Sequence, residues 1–324
     1  MLIQELRWDY QPQYFSLEAM GSSGLKSLIN DIRGISDLET KEEKEAQILQ
    51  TLYQNMNSER YLHAHAGVMV PVLKTHTRYY QVRPAIFLEF DGGASLSVDG
   101  NSKELTPEAQ TYLLGNYRYG IETHFTDQHS ISDWQHHFRW RVYRHGRKDA
   151  QGRRSLDDIV ESEKIIDTEE MSSSQITMAT DLLYHLVTPN FEIRTGIEEL
   201  DLSEKTSTER RSIFGKKARS FIQYTHTETS PGKYIEIQPF AGLQYRGHYS
   251  VKHSPFLGFH SFFSDITWPL RATLYLDREM MAFMPSLDTR YFQFNYTVRL
   301  PYRNPQEHDL WMATTHSIEL AIPF

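Results

Sequence analysis

The sequence predicts an all-β fold: a transmembrane antiparallel β-barrel of about 12 strands (range about 10–14) that follows a short N-terminal α-helical segment. Three observations predict it. From Tyr61 onward, apolar residues recur at every second position, which is the period of a strand. Several of these segments are ten residues or longer, whereas strands of soluble proteins usually have about 5–6 residues. The sequence also ends within such a segment, on Phe324.

The first 60 residues have the period of helices instead. They predict two amphipathic helices, at about 24–33 and 40–57, with Asp37 as a cap for the second. The residues that carry this pattern are Leu25, Leu28, Ile29, Ile32, Leu49, Leu52, Tyr53 and Met56. We therefore divide the chain into an N-terminal helical segment, residues 1–60, and a barrel, residues 61–324. The helices could pack on the barrel, plug its mouth or mediate self-association, and these alternatives stay open.

The region with period two divides into segments that alternate apolar and polar residues. From Phe292 to Tyr302 every even-numbered residue is large and apolar, and the residues between them include Asn295 and Arg299. A membrane strand needs about 9–11 residues, so such lengths favour a membrane barrel over a β-sandwich with one wet face. Stretches 8–15 and 94–98 could add strands. Twelve segments fit the pattern: 62–73, 79–91, 112–125, 133–145, 176–187, 190–200, 217–227, 234–251, 256–264, 268–278, 290–302 and 311–324.

Polar stretches of two lengths separate these segments. Short ones, such as Thr188 to Asn190 and Asp265 to Thr267, predict tight turns on the periplasmic side. Long ones, chiefly 146–174, 201–217 and 303–309, predict outer loops. The stretch from Arg147 to Glu170 is dense in charges of both signs, and we interpret it as a solvated loop rather than a binding tail.

Composition excludes several classes of protein. The chain has 324 residues, 34 basic and 42 acidic side chains and a net charge of -8, so nucleic acid is not an expected partner. Without cysteine it has no disulfide, thiolate zinc site or cysteine nucleophile. The chain has no run of 18 or more apolar residues, so the sequence predicts no transmembrane helix. Aromatic residues make up 13% of the chain, which agrees with girdles at two membrane interfaces and equally with a β-sandwich.

The end of the chain indicates where the barrel is assembled. Apolar residues occupy every second position from Ile318 to Phe324. This ending resembles the C-terminal signal of bacterial outer-membrane β-barrels. The resemblance implies an outer-membrane location, lipid as a partner and recognition of the last strand by the barrel assembly machinery. Met1 to Glu5 does not look like a signal peptide, so we expect either a cytoplasmic protein or, for a barrel, a chain whose signal has been removed.

Each predicted strand has one face for the lumen and one for lipid. The lumen-lining candidates are charged: Arg83, Arg118, Glu122, Arg139, Arg141, Glu236, Arg246 and Arg299. The lipid-facing candidates are apolar or aromatic: Phe292, Phe294, Tyr296, Ile318, Leu320, Ile322 and Phe324. About 12 strands enclose a space that arginine side chains can block. We therefore expect a porin-like channel or transporter for small or hydrophobic compounds, with a narrow or plugged lumen.

No motif predicts catalysis or a resident cofactor. His63 and His65 share one face of a strand, but a third metal ligand would have to come from another strand, so we interpret them as polar lumen residues. The His-Ser pairs at 253–254 and 260–261 point to opposite faces of a strand, so neither forms a nucleophile and its base. We expect no enzyme, and a hydrolase at the barrel rim is a third hypothesis.

Two neighbouring segments carry a family resemblance. Ala179 to Tyr184 and Phe191 to Gly196 resemble a strand pair of FadL-like and TraF-like outer-membrane proteins, in which a strand ending in tyrosine turns into one that carries a glycine. By size and layout the chain is also similar to oligomeric PopA-type proteins, which implies a homo-oligomeric, lipid-associated barrel. The competing hypothesis is a soluble exported β-sandwich that binds carbohydrate through its aromatic residues.

Overall fold

The structure of the chain, a computed structural model, describes residues 14–36, 38–55, 59–76, 80–99, 108–127, 134–154, 175–202, 220–227, 235–245, 254–263, 269–278, 280–289, 291–301 and 314–323. Within these ranges the helices are α1 (Leu25–Ser36) and α2 (Lys41–Gln54). The strands are β1 (Tyr14–Ser22), β2 (Glu59–Pro71), β3 (Thr75–His76), β4 (Tyr80–Asp99), β5 (Glu108–Asp127), β6 (Gln135–Arg154), β7 (Gln175–Val187), β8 (Phe191–Asp201), β9 (Ser220–His226), β10 (Ile235–Tyr245), β11 (Pro255–Phe263), β12 (Leu270–Asp277), β13 (Met280–Asp288), β14 (Gln293–Pro301) and β15 (Thr315–Pro323).

The strands form one antiparallel sheet that closes on itself. From β4 to β15 each strand pairs with its neighbours in sequence, and the ring is closed by the pairs β15 with β1, β1 with β2, and β2 with β4. β3 pairs with β4 alone, so the ring has 14 strands. The predicted antiparallel barrel is confirmed. The β-sandwich alternative is wrong, because its strands would form two packed sheets.

The predicted number of about 12 strands is too low. The ring of 14 strands contains two beyond the twelve predicted segments. The sequence pattern misses β13, and β1 only overlaps the stretch 8–15 that was named as a possible further strand. β13 does not alternate, because its inward Ala282 and Met284 are as apolar as its outward residues, and Pro285 disfavours a strand. β1 lies within residues 1–60, so the helices are an insertion between the first two strands of the ring and do not precede the barrel.

The two predicted helices are confirmed as α1 and α2. The hydroxyl of Thr40 accepts a hydrogen bond from the Glu43 N–H at 3.3 Å, which makes Thr40 the N-cap of α2. Asp37, the predicted cap, lies outside the described residues. The helices pack against each other. Their buried apolar side chains are Leu28, Ile48 and Leu52. Among the described residues, no helix is long and apolar enough to cross a membrane.

The two ends of the barrel differ. At one end, which we call the turn end, a short connection such as Thr188 to Asn190 joins neighbouring strands. At the other, the loop end, β1 leads into the helices, and β6 and β8 lead into the stretches 155–174 and 203–219. This separation agrees with the predicted turns and loops. Residues 146–154, predicted as loop, instead extend β6, because their backbones pair with β5.

Candidate functional site: the interior of the barrel

One row of inward-facing residues crosses six neighbouring strands of the wall. Each member is the direct pairing partner of the next one on the neighbouring strand. From β1 to β7 the members are Tyr14, Met69, Phe87, Gly120, Tyr143 and Ala179. The rings of Phe87 and Tyr143 meet edge to face across Gly120, with 5.9 Å between their centroids. A Cβ at Gly120 would lie 2.1 Å from the Val142 carbonyl oxygen, so this close approach requires glycine. The row is therefore a packed layer within the barrel.

Charged side chains lie next to this row on its turn side. Glu122 and Arg141 are direct partners across β5 and β6, and their side chains form an ion pair. The Arg141 Nη1 also lies 3.1 Å from Glu89 Oε1. The same guanidinium donates to the Tyr14 hydroxyl at 3.4 Å and lies 4.7 Å from the centroid of the Phe87 ring. Four strands thus contribute to one network, which orders their side chains together.

A second arginine, Arg118, lies near three carboxylates on the loop side of the row. Its Nη2 lies 2.9 Å from Glu199 Oε1 and 3.9 Å from Asp91 Oδ2, and its Nη1 lies 3.7 Å from Glu89 Oε2. A β-bulge, at which β8 has an extra residue relative to β7, positions Glu199. There the backbone of Glu199 has a φ of 51°, and its N–H donates to Asp181 Oδ1 at 2.8 Å. Such backbone strain persists only where surrounding contacts fix it.

Histidines contact the same carboxylates. The Nδ1 of His65 lies 2.9 Å from Asp91 Oδ1, and the Nε2 of His63 lies 3.6 Å from the same oxygen. His124 contacts Glu122 through its Nε2. Within the described part of the chain, no group of three or more His, Asp or Glu side chains is placed to hold a metal ion. These three histidines thus contact carboxylates of the ion-pair network.

The opposite part of the wall, β10 to β13, carries a cluster of apolar side chains among polar ones. The cluster consists of Phe240, Phe256, Tyr275, Ala282 and Met284, and the same strands also bury the polar residues Gln244, Ser261, Thr273, Asp277 and Ser286. The rings of Phe256 and Tyr275 are stacked, with centroids 5.4 Å apart. At the edge of this cluster the Tyr275 hydroxyl accepts a hydrogen bond from Gln244 Nε2 at 2.7 Å and donates to Asp277 Oδ2 at 3.1 Å. The interior thus has a charged wall that carries the ion-pair network and, opposite it, a wall centred on this apolar cluster, which we call the aromatic wall.

Side chains on both walls are closed to water. Glu122 and Gln223 have 0% exposed surface, and Phe87, Leu183 and Tyr275 expose 2% or less. Water would reach side chains that lined an open aqueous channel. A ring of 14 strands encloses more space than a barrel of about eight strands, whose side chains just fill it. At the level of these residues, neighbouring side chains therefore cover the inner face of the wall.

The predicted lumen residues lie on the interior face wherever they are described. Arg118, Glu122 and Arg141 come together in the ion-pair network. Arg139 follows the inward parity of Arg141 and interacts electrostatically with Glu122. Among the other candidates, Arg83 donates to Gln81 at 2.8 Å, Glu236 accepts from Gln238 at 2.9 Å, and the Arg299 Nη1 lies 3.9 Å from Met20 Sδ. Arg246 lies outside the described residues.

The predicted lipid-facing residues alternate with buried interior ones on β14 and β15. Ile318, Ile322 and Phe294 are exposed, and their neighbours in sequence Asn295 and Ser317 are buried. The remaining described candidates on this outer face are Phe292, Tyr296 and Leu320, which are partly exposed. Phe324 lies outside the described residues.

Sequence analysis missed several residues of the network. Tyr14 lies at the start of β1, where the sequence offered the stretch 8–15 only as a possible further strand, and Asp91 shares the parity of Glu89, a signal that could have identified it. Tyr143 is apolar enough to look like a core residue, but its hydroxyl donates to Asp181 at 2.9 Å. Glu199 could not be found from parity, because the bulge shifts the register of β8.

The exterior of the barrel is a belt of exposed apolar side chains. Examples on strands around the ring are Phe15, Ile86, Ile121, Phe138, Ile222, Ile237, Leu257, Phe283 and Ile318. Soluble monomers rarely expose a contiguous apolar patch larger than a few hundred Å². An apolar outer face with a polar interior is the arrangement of membrane barrels.

Comparisons with known proteins find solved structures that are similar to this chain, but no similar sequence. The chain matches no protein-family model and no curated protein sequence. Among solved structures, it is similar to the transport unit of the autotransporter AIDA-I from Escherichia coli, with 7% identity, coverage of 98% of this chain and 92% of that one, and a TM-score of 0.42. A mutant of the Rh. blastica porin has 8% identity, coverage of 96% and 98%, and a TM-score of 0.38.

A third similar structure is the outer membrane phospholipase A from Escherichia coli. It has 8% identity, coverage of 99% of this chain and 96% of that one, and a TM-score of 0.35. These values are too low to support an argument about function. The resemblance to FadL-like, TraF-like and PopA-type proteins stays a prediction.

Proposed function

We propose that this chain is an outer-membrane β-barrel that acts as a plugged channel or transporter for small or hydrophobic compounds. The observation that carries the proposal is the combination of an apolar exterior with an interior closed by the network around Arg118 and Arg141. The proposal includes the lipid of the membrane as a partner, the barrel assembly machinery through β15, and a homo-oligomeric state.

The exterior supports the membrane part of the proposal. Closed barrels can cross a bilayer because every strand pairs with two neighbours and leaves no backbone group unsatisfied in the hydrocarbon. Strands β4, β5 and β6 have 20 residues each, twice what a tilted strand needs for the crossing. These three strands therefore extend well beyond the bilayer, and their polar ends carry residues that a membrane would exclude.

The interior supports a gated rather than a freely open passage. A diffusion porin has a water-filled lumen, whereas Glu122 and Gln223 are fully buried here. Passage would require the ion pairs of Arg118 and Arg141 to move apart or exchange partners. Separating one buried pair costs about 3–5 kcal/mol, so a solute must compensate part of this free energy. The aromatic wall around Phe256 offers apolar contacts to such a solute.

Conductance in planar bilayers tests the proposal. Replacing Glu89, Arg118, Glu122 and Arg141 together by serine removes equal numbers of acidic and basic groups and much of the volume that fills the interior. We expect little conductance from the wild type and at least a tenfold increase in this variant. The matched control is Glu236→Ser with Gln238→Ser, which removes an inward contact outside the network. A wild type that conducts as a wide porin, or a fourfold variant that stays closed, would contradict the plugged lumen.

Electrophoresis tests the barrel itself. We expect the protein to require detergent and to migrate faster unheated than boiled on a denaturing gel, because closed barrels resist unfolding by dodecyl sulfate. A monodisperse species in plain buffer would remove the membrane part of the proposal.

A further inference from the structure

A serine, a histidine and a tyrosine meet on the outer face of the barrel at its loop end. Ser23 follows β1, and His316 is the second residue of β15. The Oγ of Ser23 lies 3.0 Å from His316 Nε2, and the His316 Nδ1 lies 2.7 Å from the Tyr296 hydroxyl. The Ser23 N–H donates to the Thr314 carbonyl at 2.8 Å, which fixes the serine beside β15. Ser23 and His316 are both exposed.

These contacts have the order of a nucleophile, its base and a group that orients the base. If Nδ1 carries the imidazole proton and donates it to the oxygen of Tyr296, then Nε2 is free to accept the proton of Ser23 Oγ. The rings of Tyr296 and His316 are stacked with centroids 6.1 Å apart, which also restrains the imidazole. The arrangement therefore meets the geometric requirement for an activated serine.

An apolar trench lies next to this triad on the same outer face. The trench has a volume of about 920 Å³ and is lined by Leu17, Ala19, Ala64, Phe90, Ile318 and Leu320, among others. Ile318 is the next outward residue after His316 on β15, and Gly21, the residue paired with His316, is the next after Ala19 on β1. An acyl chain in the trench could therefore extend from a carbonyl group held at Ser23.

The triad also lies at a suitable height in the membrane. His316 is seven residues before Pro323, the last residue of β15 at the turn end. With a rise of about 3.3 Å per residue and a strand tilt of about 40°, this places it about 18 Å above that end. The apolar band of an outer-membrane barrel is about 25 Å tall. The triad thus faces the part of the loop-side leaflet that lies toward the ester bonds of its lipids.

We propose that Ser23, His316 and Tyr296 form a serine esterase site for the acyl esters of membrane lipids. Ser23 Oγ attacks the ester carbonyl carbon while His316 Nε2 takes the hydroxyl proton. The bond from that carbon to the alcohol oxygen then breaks, and the imidazolium gives its proton to this oxygen, which leaves an acyl-serine. Water attacks the acyl-serine, His316 takes a proton from the water and returns it to Oγ, and the fatty acid is released.

The same segment supplies candidates for stabilising the oxyanion. α1 begins two residues after Ser23, and the Gly24 carbonyl accepts from the Leu28 N–H at 3.1 Å, as an N-cap carbonyl does. The N–H groups of the first turn of a helix have no acceptor within the helix and favour negative charge. Tyr296 acts through His316 and is a positioning residue, whereas Ser23 and His316 are catalytic.

The site does not depend on whether the lumen opens. It was not visible in the sequence, because Ser23 and His316 are 293 positions apart. Chain closure through the β1–β15 pairing brings them together.

Labelling with a fluorophosphonate and release of fatty acid test the proposal. The purified full-length barrel in mixed micelles of detergent and phosphatidylglycerol should react at Ser23 and release free fatty acid. Ser23→Ala and His316→Asn should each abolish labelling and lower release at least about 100-fold, the range of a lost acid–base catalyst. Tyr296→Phe should lower kcat without changing KM and shift the pH profile of kcat, which a merely structural role would not do.

The matched control is His136→Asn. His136 Nδ1 lies 2.8 Å from the Tyr184 hydroxyl, a contact of the same type in the outer wall near the turn end, and its loss should leave release within twofold of wild type. Each variant must keep the faster gel mobility of the folded barrel. No labelling of the wild type, or release that persists in folded Ser23→Ala, would overturn the proposal.

Discussion

Replacing Arg141 by methionine measures how dry the interior is. Methionine is shorter than arginine but keeps its unbranched apolar stem, and it leaves Glu122 and Glu89 without the guanidinium that contacts both. The reverse change, Glu122→Gln, keeps the shape of the side chain and leaves Arg141 with Glu89. The double variant Glu122→Gln/Arg141→Met removes one charge of each sign. These three variants form a double-mutant cycle for the pair.

The burial of the pair sets the expected magnitudes. Glu122 is 0% exposed, and removing one partner of a buried ion pair costs about 3–5 kcal/mol. Without Arg141, Glu122 loses its arginine partner and keeps only the contact with His124, whereas Glu89 still has Arg118. We expect this loss of unfolding free energy for Arg141→Met. Glu122→Gln should cost about 1–3 kcal/mol, because Arg141 still contacts Glu89. The double variant should cost no more than Arg141→Met alone, which gives a coupling energy of about 2 kcal/mol.

Unfolding in guanidinium in lipid vesicles measures these values, with tryptophan fluorescence as the signal. Trp140 is adjacent to Arg141 in the sequence and half exposed on the outer face, so its emission should change when β6 leaves the bilayer. A coupling energy below about 0.5 kcal/mol, typical of exposed ion pairs, would refute the reasoning. It would show that water reaches Glu122 and that the interior is not plugged at this level.

Two further changes test the outer face and the packed row. Ile121→Lys places a charge at an outward position that is 56% exposed, and it should lower the unfolding free energy in vesicles by about 2–4 kcal/mol. Ile121→Val is the control. Equal effects of the two substitutions would argue against lipid at this position. Gly120→Val puts a Cβ 2.1 Å from the Val142 carbonyl oxygen and 2.6 Å from Tyr143 Cα. The heat-modifiable form of the folded barrel on the gel should therefore be lost. The control is Gly92→Val, whose Cβ has no atom within 4 Å and which should retain that form.

Period two was sufficient to predict most strands, because it depends only on which side of the sheet each residue faces. It failed where both faces are apolar, as in β13, and where helices interrupt the order of strands, as after β1. The same parity placed Arg118, Glu122 and Arg141 on the interior face. It could not show that these residues share carboxylates, since partners such as Glu89 and Arg141 belong to strands that are not adjacent.

The amino-acid sequence by itself determined an antiparallel barrel with a polar interior and an apolar exterior, because alternation along a strand is a local property. The register of the strand pairs, the closure of the ring and the β-bulge in β8 decided which side chains meet. They set Glu199 against Arg118, they place Arg141 beside both Glu89 and Glu122, and they bring Ser23 to His316 across the seam where the first and last strands pair. Such contacts depend on which strands become neighbours, and a local pattern contains no information about residues that are distant in the chain.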